Sequence, residues 1–320
     1  MSILITGVAG FIGTNLANLF IKNNESVIGI DNLSRGKLIN LKNIEGHKKF
    51  YFKNLSICDY LDYLETVSNY HKANPITEIW HLAANSDIPA GIKNVDVDLY
   101  DTFITTFNTL KIMKDLKIPI ICFASSSAIY GDLGNKKLTE DIGPLLPISN
   151  YGAMKLASEA AISASIESNL DKAFIFRFPN VIGTPATHGV ILDFINKLRA
   201  TPRHLNVLGD GTQQKTYLHV EELIDAMTLI RNTATEKINY FNIGNNDNGV
   251  SVRYIAEEVV KIISPGATIN YGSGNKGWVG DVPRFTYSID KLLSLGWVPK
   301  LNSAESVKKA IIQIKSEMSL

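Results

Sequence analysis

The 320 residues predict an α/β chain in which a doubly wound parallel sheet is followed by a smaller α/β domain. Three observations carry this. Through residue 180, short apolar runs alternate with segments of helical periodicity, the pattern of repeated strand–helix–strand units. A glycine-rich turn, Thr6-Gly7-Val8-Ala9-Gly10-Phe11-Ile12-Gly13, separates the first run from the first helical segment. Beyond residue 180 the pattern becomes irregular, with connections such as Gly183-Thr184-Pro185, Gly209-Asp210-Gly211 and Gly244-Asn245-Asn246. The composition shift places a first domain at 1–178, with 212–236 a candidate to return to it, and a second at 179–320.

In order, the expected sheet strands are Ser2–Thr6, Ser26–Asp31, Phe50–Asn54, Thr77–His81, Pro119–Ala124 and Lys172–Arg177, each a short apolar or β-branched run. Phe11–Lys22 reads as the helix that follows the glycine turn. Val95–Leu116 reads as one long helix, because Leu99, Phe103, Phe107, Leu110, Met113 and Leu116 recur near a 3.6-residue period. Ser149 marks a helix start before Tyr151–Ser168, whose alanines (Ala153, Ala157, Ala160, Ala161, Ala164) suit close packing.

Apolar residues at 45%, charged residues at 20% and a net charge of +1 describe an ordinary globular chain, without the basic surface that nucleic acid or an anionic membrane would require. Cys58 and Cys122 sit beside apolar runs and are expected as reduced thiols, and no Cys/His spacing suggests a metal. The N-terminus lacks a basic leader, and no apolar run approaches the roughly 18 residues of a membrane helix. A cytoplasmic enzyme or binding protein is the expectation.

Gly7, Gly10 and Gly13 follow a strand and open a helix. A tight turn and close backbone approach to a pyrophosphate both need residues without a Cβ, and the helix start at Phe11 and Ile12 offers free N–H groups to phosphate. Asp31 ends the next strand 18 residues after Gly13, where a carboxylate accepts from the adenosine ribose hydroxyls and repels a 2′-phosphate. NAD is favoured over NADP, although Arg35 keeps a phosphorylated cofactor open. Tyr151-Gly152-Ala153-Met154-Lys155 puts a phenol and an ammonium on one helical face. The ammonium and the positive nicotinamide ring are together expected to lower the phenol pKa toward the operating pH, so that Tyr151 takes a proton from a sugar hydroxyl.

Together with TGVAGFIG, DNLS (Asp31–Ser34), HLAA (His81–Ala84), SSSAIYG, YGAMK, RFPNVIG (Arg177–Gly183), LNVLGDGTQQKTYLHV and the tail GDVPRF, these motifs resemble the extended short-chain dehydrogenase/reductases, specifically the nucleotide-sugar epimerase/dehydratase group. The resemblance runs from residue 3 to about residue 297. It implies a Rossmann-type NAD domain, a C-terminal domain that binds a UDP-sugar, and a homodimer through a four-helix bundle built from 95–116 and 151–168. It places cofactor contacts at Gly7, Gly10, Phe11, Ile12 and Gly13, at Asp31, Asn32 and Ser34, and at Asn54 and Leu55. Further contacts fall on Leu82, Ala83, Ala84, Ser125 and Pro179, besides Tyr151 and Lys155.

Within that group the catalytic hydroxyl falls on Ser126, four residues before Tyr130, with Ser125 on the nicotinamide side and Ser127 toward the substrate. Ser127 and Ala128 occupy the places where the 4,6-dehydratases carry Asp and Glu, and neither can abstract or deliver the protons of an elimination. That directs the expectation to 4-epimerisation of UDP-glucose and UDP-galactose, with a dehydratase, reductase or dehydrogenase of the same group, or a non-catalytic NAD sensor, as alternatives. Substrate contacts are implied at Asn180 and Lys215 for the diphosphate, with Tyr217 beside them, and at Val207 and Leu208 for uracil. Arg284 or Lys276 is implied as a second cation, and Phe285 as the gate of the sugar pocket. Lys215 stands where the group usually has an arginine, which loses a bidentate fork. His81 is expected to be structural, and Asp87 a loop carboxylate near the sugar pocket.

Overall fold

The structure, a computed structural model, describes residues 1–134, 136–274 and 286–320. The strands β1 (Ser2–Thr6), β2 (Ser26–Asp31), β3 (Phe50–Asn54), β4 (Ile76–His81), β5 (Ile120–Ala124), β6 (Lys172–Arg177) and β7 (Ile238–Asn242) form one sheet in the order β7-β6-β5-β4-β1-β2-β3. Every pairing from β6 through to β3 is parallel. The reversal of strand order at β1/β4 is the crevice at which doubly wound folds bind their ligands. The helices are α1 (Phe11–Lys22), α2 (Tyr60–Ala73), α3 (Thr105–Leu116), α4 (Asn150–Ile166), α5 (Val190–Ala200), α6 (Val220–Thr233), α7 (Val252–Ile263) and α8 (Ser303–Glu317), with shorter turns between.

The chain divides into two compact units. The first comprises Met1–Gly131, Leu145–Arg177 and Met227–Phe241, and the second Asp132–Pro144, Phe178–Ala226 and Asn242–Leu320. This division differs from contiguous domains at 1–178 and 179–320. Residues 227–241, rather than 212–236, belong to the first unit because β7 completes its sheet beside β6. Residues 132–144 belong to the second because Lys137–Leu138 pairs with Thr286–Tyr287.

The core of the first unit joins Leu4, Ile28, Ile79, Ile121 and Ile175 of the sheet to Tyr63 and Val67 of α2, Ile112 and Met113 of α3, and Ile162 and Ile166 of α4. Each such side chain contributes about 1.5–3 kcal/mol by leaving water. In the second unit Phe194, Leu198, Ile255, Val259, Val307 and Ile311 form a separate cluster among α5, α7 and α8.

The expected single helix over 95–116 is not continuous α. A one-turn helix, Val95–Asp98, runs into a π-helical segment, Leu99–Ile104, and only then into α3. Over its first half the buried face is made of hydroxyls (Thr102, Thr105, Thr106, Thr109), giving way to Leu110, Ile112 and Met113, whereas Leu99, Tyr100 and Phe107 are exposed. Each inward threonine of α3 donates to the carbonyl one turn back: Thr105 to Asp101, Thr106 to Thr102 and Thr109 to Thr105. The polar face is therefore satisfied without outside partners. Among the described residues no helix is long and apolar enough to cross a membrane.

Candidate active site

The glycine turn is shaped by its missing side chains. Gly7 has φ +72°, and a Cβ there would stand 2.9 Å from the Ala83 amide nitrogen. A Cβ on Gly13 would stand 2.2 Å from the Gly7 carbonyl oxygen, so α1 can approach the turn only with glycine at this place. α1 begins at Gly10 with no side-chain cap and no acid in its first turn. Asp31, 7% exposed, closes the far side of the turn: its carboxylate accepts from the Ala9 amide at 2.9 Å and the Leu33 amide at 2.8 Å. Burial raises its pKa and these backbone amides pull it back. Asn54 is the register partner of Asp31 on β3, and the Leu55 amide donates to the Asp31 carbonyl at 3.0 Å. Ser34 caps onto the Asn32 side chain at 2.7 Å, and Arg35 pairs with Asp87 at 3.1 Å. Leu82 and Ala83 back the glycine turn, since the virtual Gly7 Cβ meets both.

The serine cluster ends β5. Ser126 caps the short turn Ser127–Tyr130, its Oγ accepting from the Ala128 amide at 3.1 Å. α4 starts against this turn because Gly152 permits it: a Cβ would stand 2.4 Å from the Ala128 carbonyl oxygen. That approach places the start of α4, and Tyr151 with it, beside the turn that Ser126 caps. Lys155, 2% exposed, donates from Nζ to the Ala124 carbonyl at 2.6 Å and lies 4.7 Å from the centre of the Phe123 ring.

The electrostatics of the protein's own groups work against the phenolate. Burial pushes the Tyr151 phenol up to about 12; Ser126 pulls it down and Asp98 adds to the rise. Burial also brings Lys155 down to about 7, against the attraction of Glu159. The protein's own groups therefore hold the phenol protonated rather than near neutrality, because desolvation outweighs an ammonium that is itself only partly charged at pH 7.

Ser125 also departs from its expected place. It is 1% exposed, and its hydroxyl donates in a very short hydrogen bond to Glu159 rather than facing an open site. Glu159 in turn holds Arg177 through Nε at 3.1 Å and Nη2 at 2.7 Å, and Arg177 reaches the Tyr130 hydroxyl at 3.1 Å. Tyr151, Lys155 and Glu159 form an i, i+4, i+8 stripe on an alanine-rich helix, a signal that could have identified the buried acid from sequence. His81 is fully buried between the hydroxyls of Thr6 at 2.8 Å and Thr106 at 3.1 Å, and burial, helped by Lys155, lowers its pKa to about 3. It is a neutral structural group. Ser158, missed by sequence reasoning, extends this chain to Thr106 at 3.1 Å.

In the second unit, Asn180 donates to the Thr216 carbonyl at 3.4 Å, Pro179 is half-buried, and Lys215 is half-buried on a short strand. Val207 and Tyr217 pack in the core of that unit, unlike Leu208, which is 65% exposed. Strand alternation turns Val207 inward, so it supports the site rather than presenting a face to it. Lys276, Arg284 and Phe285 lie outside the described residues.

A strand-end hydroxyl, a phenol and a buried lysine beside a glycine turn, in this chain order, match a known sequence profile over residues 3–244. The chain belongs to the NAD dependent epimerase/dehydratase family. The UDP-glucose 4-epimerase of Lactobacillus helveticus is 28% identical over 328 residues, covering 96% of this chain and 94% of that protein. The UDP-glucuronate 4-epimerase of Thermodesulfobacterium geofontis is 25% identical, covering 99% and 97%. The human dTDP-D-glucose 4,6-dehydratase is 26% identical, covering 97% and 88%. Among solved structures, the Thermotoga maritima UDP-glucose 4-epimerase with UDP-glucose superposes with a TM-score of 0.85 at 26% identity, covering 99% of this chain and 100% of that one.

The family cofactor fits the residues present. The cradle at Gly7 and Gly13 is one that any Cβ would fill, and the uncapped start of α1 leaves its first amides for a pyrophosphate. Asp31 stands at the ribose end.

Proposed function

We propose that this chain is an NAD-dependent nucleotide-sugar 4-epimerase that interconverts UDP-glucose and UDP-galactose through a transient 4-keto sugar. The observation that carries the reading is the composition of the turn after Ser126. The hydroxyl of Ser126 is present, and the next two positions, Ser127 and Ala128, hold no acid.

Bound NAD supplies the acceptor for the C4 hydride and its return. With the cofactor bound, Tyr151 in its phenolate form would take the proton from the C4 hydroxyl and, as the phenol so formed, give it back after the ketone has presented its other face. Ser126 would hydrogen-bond the same oxygen beside the phenol, so the proton moves along a short path. Lys155, anchored on the Ala124 carbonyl, fixes the helix turn that carries Tyr151 and supplies positive charge that favours the phenolate. Elimination of the C6 hydroxyl would need an acid and a base beside C5 and C6, for which serine and alanine are unsuited.

Leu208, exposed at the end of the His204–Val207 strand, is the proposed contact of the uracil, and Asn180 and Lys215 those of the diphosphate. The exposed Leu99, Tyr100 and Phe107 support a homodimer through this helical face.

The test is incubation of the purified protein and NAD with UDP-galactose, UDP-glucuronate, a UDP-N-acetylhexosamine and dTDP-glucose, with products resolved by chromatography. Interconversion at C4 of a UDP-sugar supports the proposal. Accumulation of a 4-keto-6-deoxy sugar from dTDP-glucose refutes it in favour of the dehydratase relatives, and inertness toward all four removes it.

A further inference from the structure

Arg35 lies where a guanidinium could meet a phosphorylated ribose, yet the structure gives it another partner. The residue after it, Gly36, packs directly on the acid at the ribose end. A Cβ there would stand 2.9 Å from each oxygen of the Asp31 carboxylate and 2.8 Å from the Ala9 carbonyl carbon. The Ala9 carbonyl in turn accepts from the Lys37 amide at 3.1 Å and from the Asn40 side chain at 2.8 Å. The loop that carries Arg35 is therefore fixed against both Asp31 and the glycine turn.

β4 and β2 flank β1 in the sheet and all three are parallel, so the loops after β2 and β4 stand on either side of the glycine turn. Arg35 spans from one loop to the other, its Nη1 reaching Asp87 Oδ2 at 3.1 Å. Asp87 is the rooted end of this pair. Its other carboxylate oxygen, Oδ1, accepts from the Ala90 amide at 3.1 Å. Its backbone amide donates to the Asn85 side chain at 2.8 Å, and its carbonyl accepts from that side chain at 2.9 Å. Asn85 is itself bonded to the buried Asp98 carboxylate at 2.7 Å. An acid held this firmly decides where the longer arginine side chain points.

We propose that Asp87 is a positioning residue for Arg35 and, through it, a second determinant of cofactor choice. By drawing the guanidinium across the glycine turn, Asp87 denies a 2′-phosphate the cation that would receive it. The inference rests on the ribose standing at Asp31, and not on which sugar the chain turns over.

The balance of charge supports this. A 2′-phosphate, a monoester close to a dianion at neutral pH, would meet two carboxylates, Asp31 and Asp87, against one guanidinium. Without Asp87 it meets one of each, and Arg35 is released to make the bidentate, charge-assisted contacts that guanidinium and phosphate favour. NAD carries no 2′-phosphate, so its binding depends little on the pair. Arg35 thus becomes a phosphate receptor only when its partner is removed.

The experiment measures the ratio of NADP to NAD affinity in the full-length protein. Protein is equilibrated with defined mixtures of the two dinucleotides and separated from the free ones, and the bound dinucleotides are released and counted by chromatography. Wild type is compared with Asp87→Ser, Arg35→Met and the double variant Arg35→Met/Asp87→Ser. Serine keeps an oxygen for the Ala90 amide while removing the charge. A unit charge near the surface changes the binding of a charged ligand by roughly 3- to 10-fold, so Asp87→Ser should raise the NADP:NAD ratio by that factor. The gain should vanish in the double variant. Asp87→Asn, neutral and of the same shape, makes the same comparison if the serine variant does not fold. An unmoved ratio in the folded variant overturns the proposal. A gain that persists without Arg35 comes from lost repulsion or from Lys37, two residues on, and overturns it as well. Wild-type protein that retains neither dinucleotide removes the ribose from Asp31 and the proposal with it. No sugar enters the assay, so an unmoved ratio leaves the epimerase reading standing, and inertness toward UDP-sugars leaves this one.

Discussion

The buried ion pair between Glu159 and Arg177 yields a prediction whose magnitude differs for its two ends. Both residues are under 10% exposed, and the pair makes two hydrogen bonds, at 3.1 and 2.7 Å. Burial works against the guanidinium charge, but hydrogen bonds and charge from Glu159, with a contribution from Tyr130, hold its pKa above the ordinary value. Breaking such a pair from one side costs about 3–5 kcal/mol, because the remaining charge is stranded. In Glu159→Leu the stranded group is Arg177, which cannot shed its proton, so the loss is the same at every pH between 5 and 8. The Tyr130 and Tyr240 rings, 5.5 and 5.2 Å from the guanidinium, return part of it, which sets the loss at about 3 kcal/mol. In Arg177→Met the stranded group is a carboxylate, and it can escape by binding a proton. At pH 7 that costs about 1.4 kcal/mol for each of the roughly 2.7 pH units above an ordinary glutamate, or about 4 kcal/mol; at pH 5 it costs about 1 kcal/mol. The double variant Glu159→Leu/Arg177→Met strands nothing and should lose less than the sum of the singles by several kcal/mol. Urea unfolding followed by tryptophan fluorescence in a Trp278→Phe/Trp297→Phe background, which leaves Trp80 stacked on Phe176 at 5.7 Å, reports on the first unit. Equal losses for Arg177→Met at pH 5 and pH 7, or strict additivity in the double variant, would refute the reasoning.

Three further outcomes follow from the site. Tyr151→Phe should lower kcat by about 10²–10⁴-fold, the range of a general acid–base group, while NAD binding measured by calorimetry stays within a few-fold of wild type; retained turnover would remove Tyr151 from the mechanism. Gly13→Ala puts a methyl 2.2 Å from the Gly7 carbonyl oxygen, so NAD binding should fall at least about tenfold, and unchanged affinity would show that the turn is not the cradle. Lys155 has a folded pKa of about 7, below the roughly 10.4 of an unfolded lysine. Between those values the unfolded chain binds more protons, so this group makes stability rise with pH across the window, and its burial penalty is complete below pH 7. Lys155→Met should flatten the rise in melting temperature from pH 7 to pH 9.5, and an unchanged slope would contradict the assigned burial.

The residues that were legible in sequence are those whose chemistry is local. A parallel strand covered on both faces must be a short apolar run, and β1, β2 and β6 fall within the expected bounds for that reason. The glycines at 7 and 13 were legible because turn geometry excludes every other residue. What escaped depends on tertiary environment. The period of Leu99, Phe103, Phe107, Leu110, Met113 and Leu116 was read as the buried stripe of one helix; Leu110 and Met113 are buried, yet Leu99 and Phe107 are exposed and threonines take the core side of the first half. A threonine that returns its hydroxyl to its own helix backbone packs by its methyl group, so a buried face can look polar in sequence. The charge state of Lys155 escaped for a related reason: i, i+4 spacing reports that it shares a face with Tyr151, but not that it is only 2% exposed.

The same limit explains why Asp98 has no sequence signature. Its carboxyl matters only because residue 91, seven positions earlier, is a glycine and leaves a space for it. Neither residue taken alone is unusual: the Asn94 break between the helical turns Ile88–Lys93 and Val95–Asp98 brings them together, and a π-helical turn, Leu99–Ile104, follows. Such a turn widens the helix by one residue and so redirects the side chains that a 3.6-residue reading would place elsewhere. A site built this way has two parts. Ser126, Tyr151 and Lys155 specify which reaction is possible, and they lie in motifs that can be read by spacing. Asp98, Gly91 and Asn85 pack together behind them, and that packing is a property of the folded chain alone.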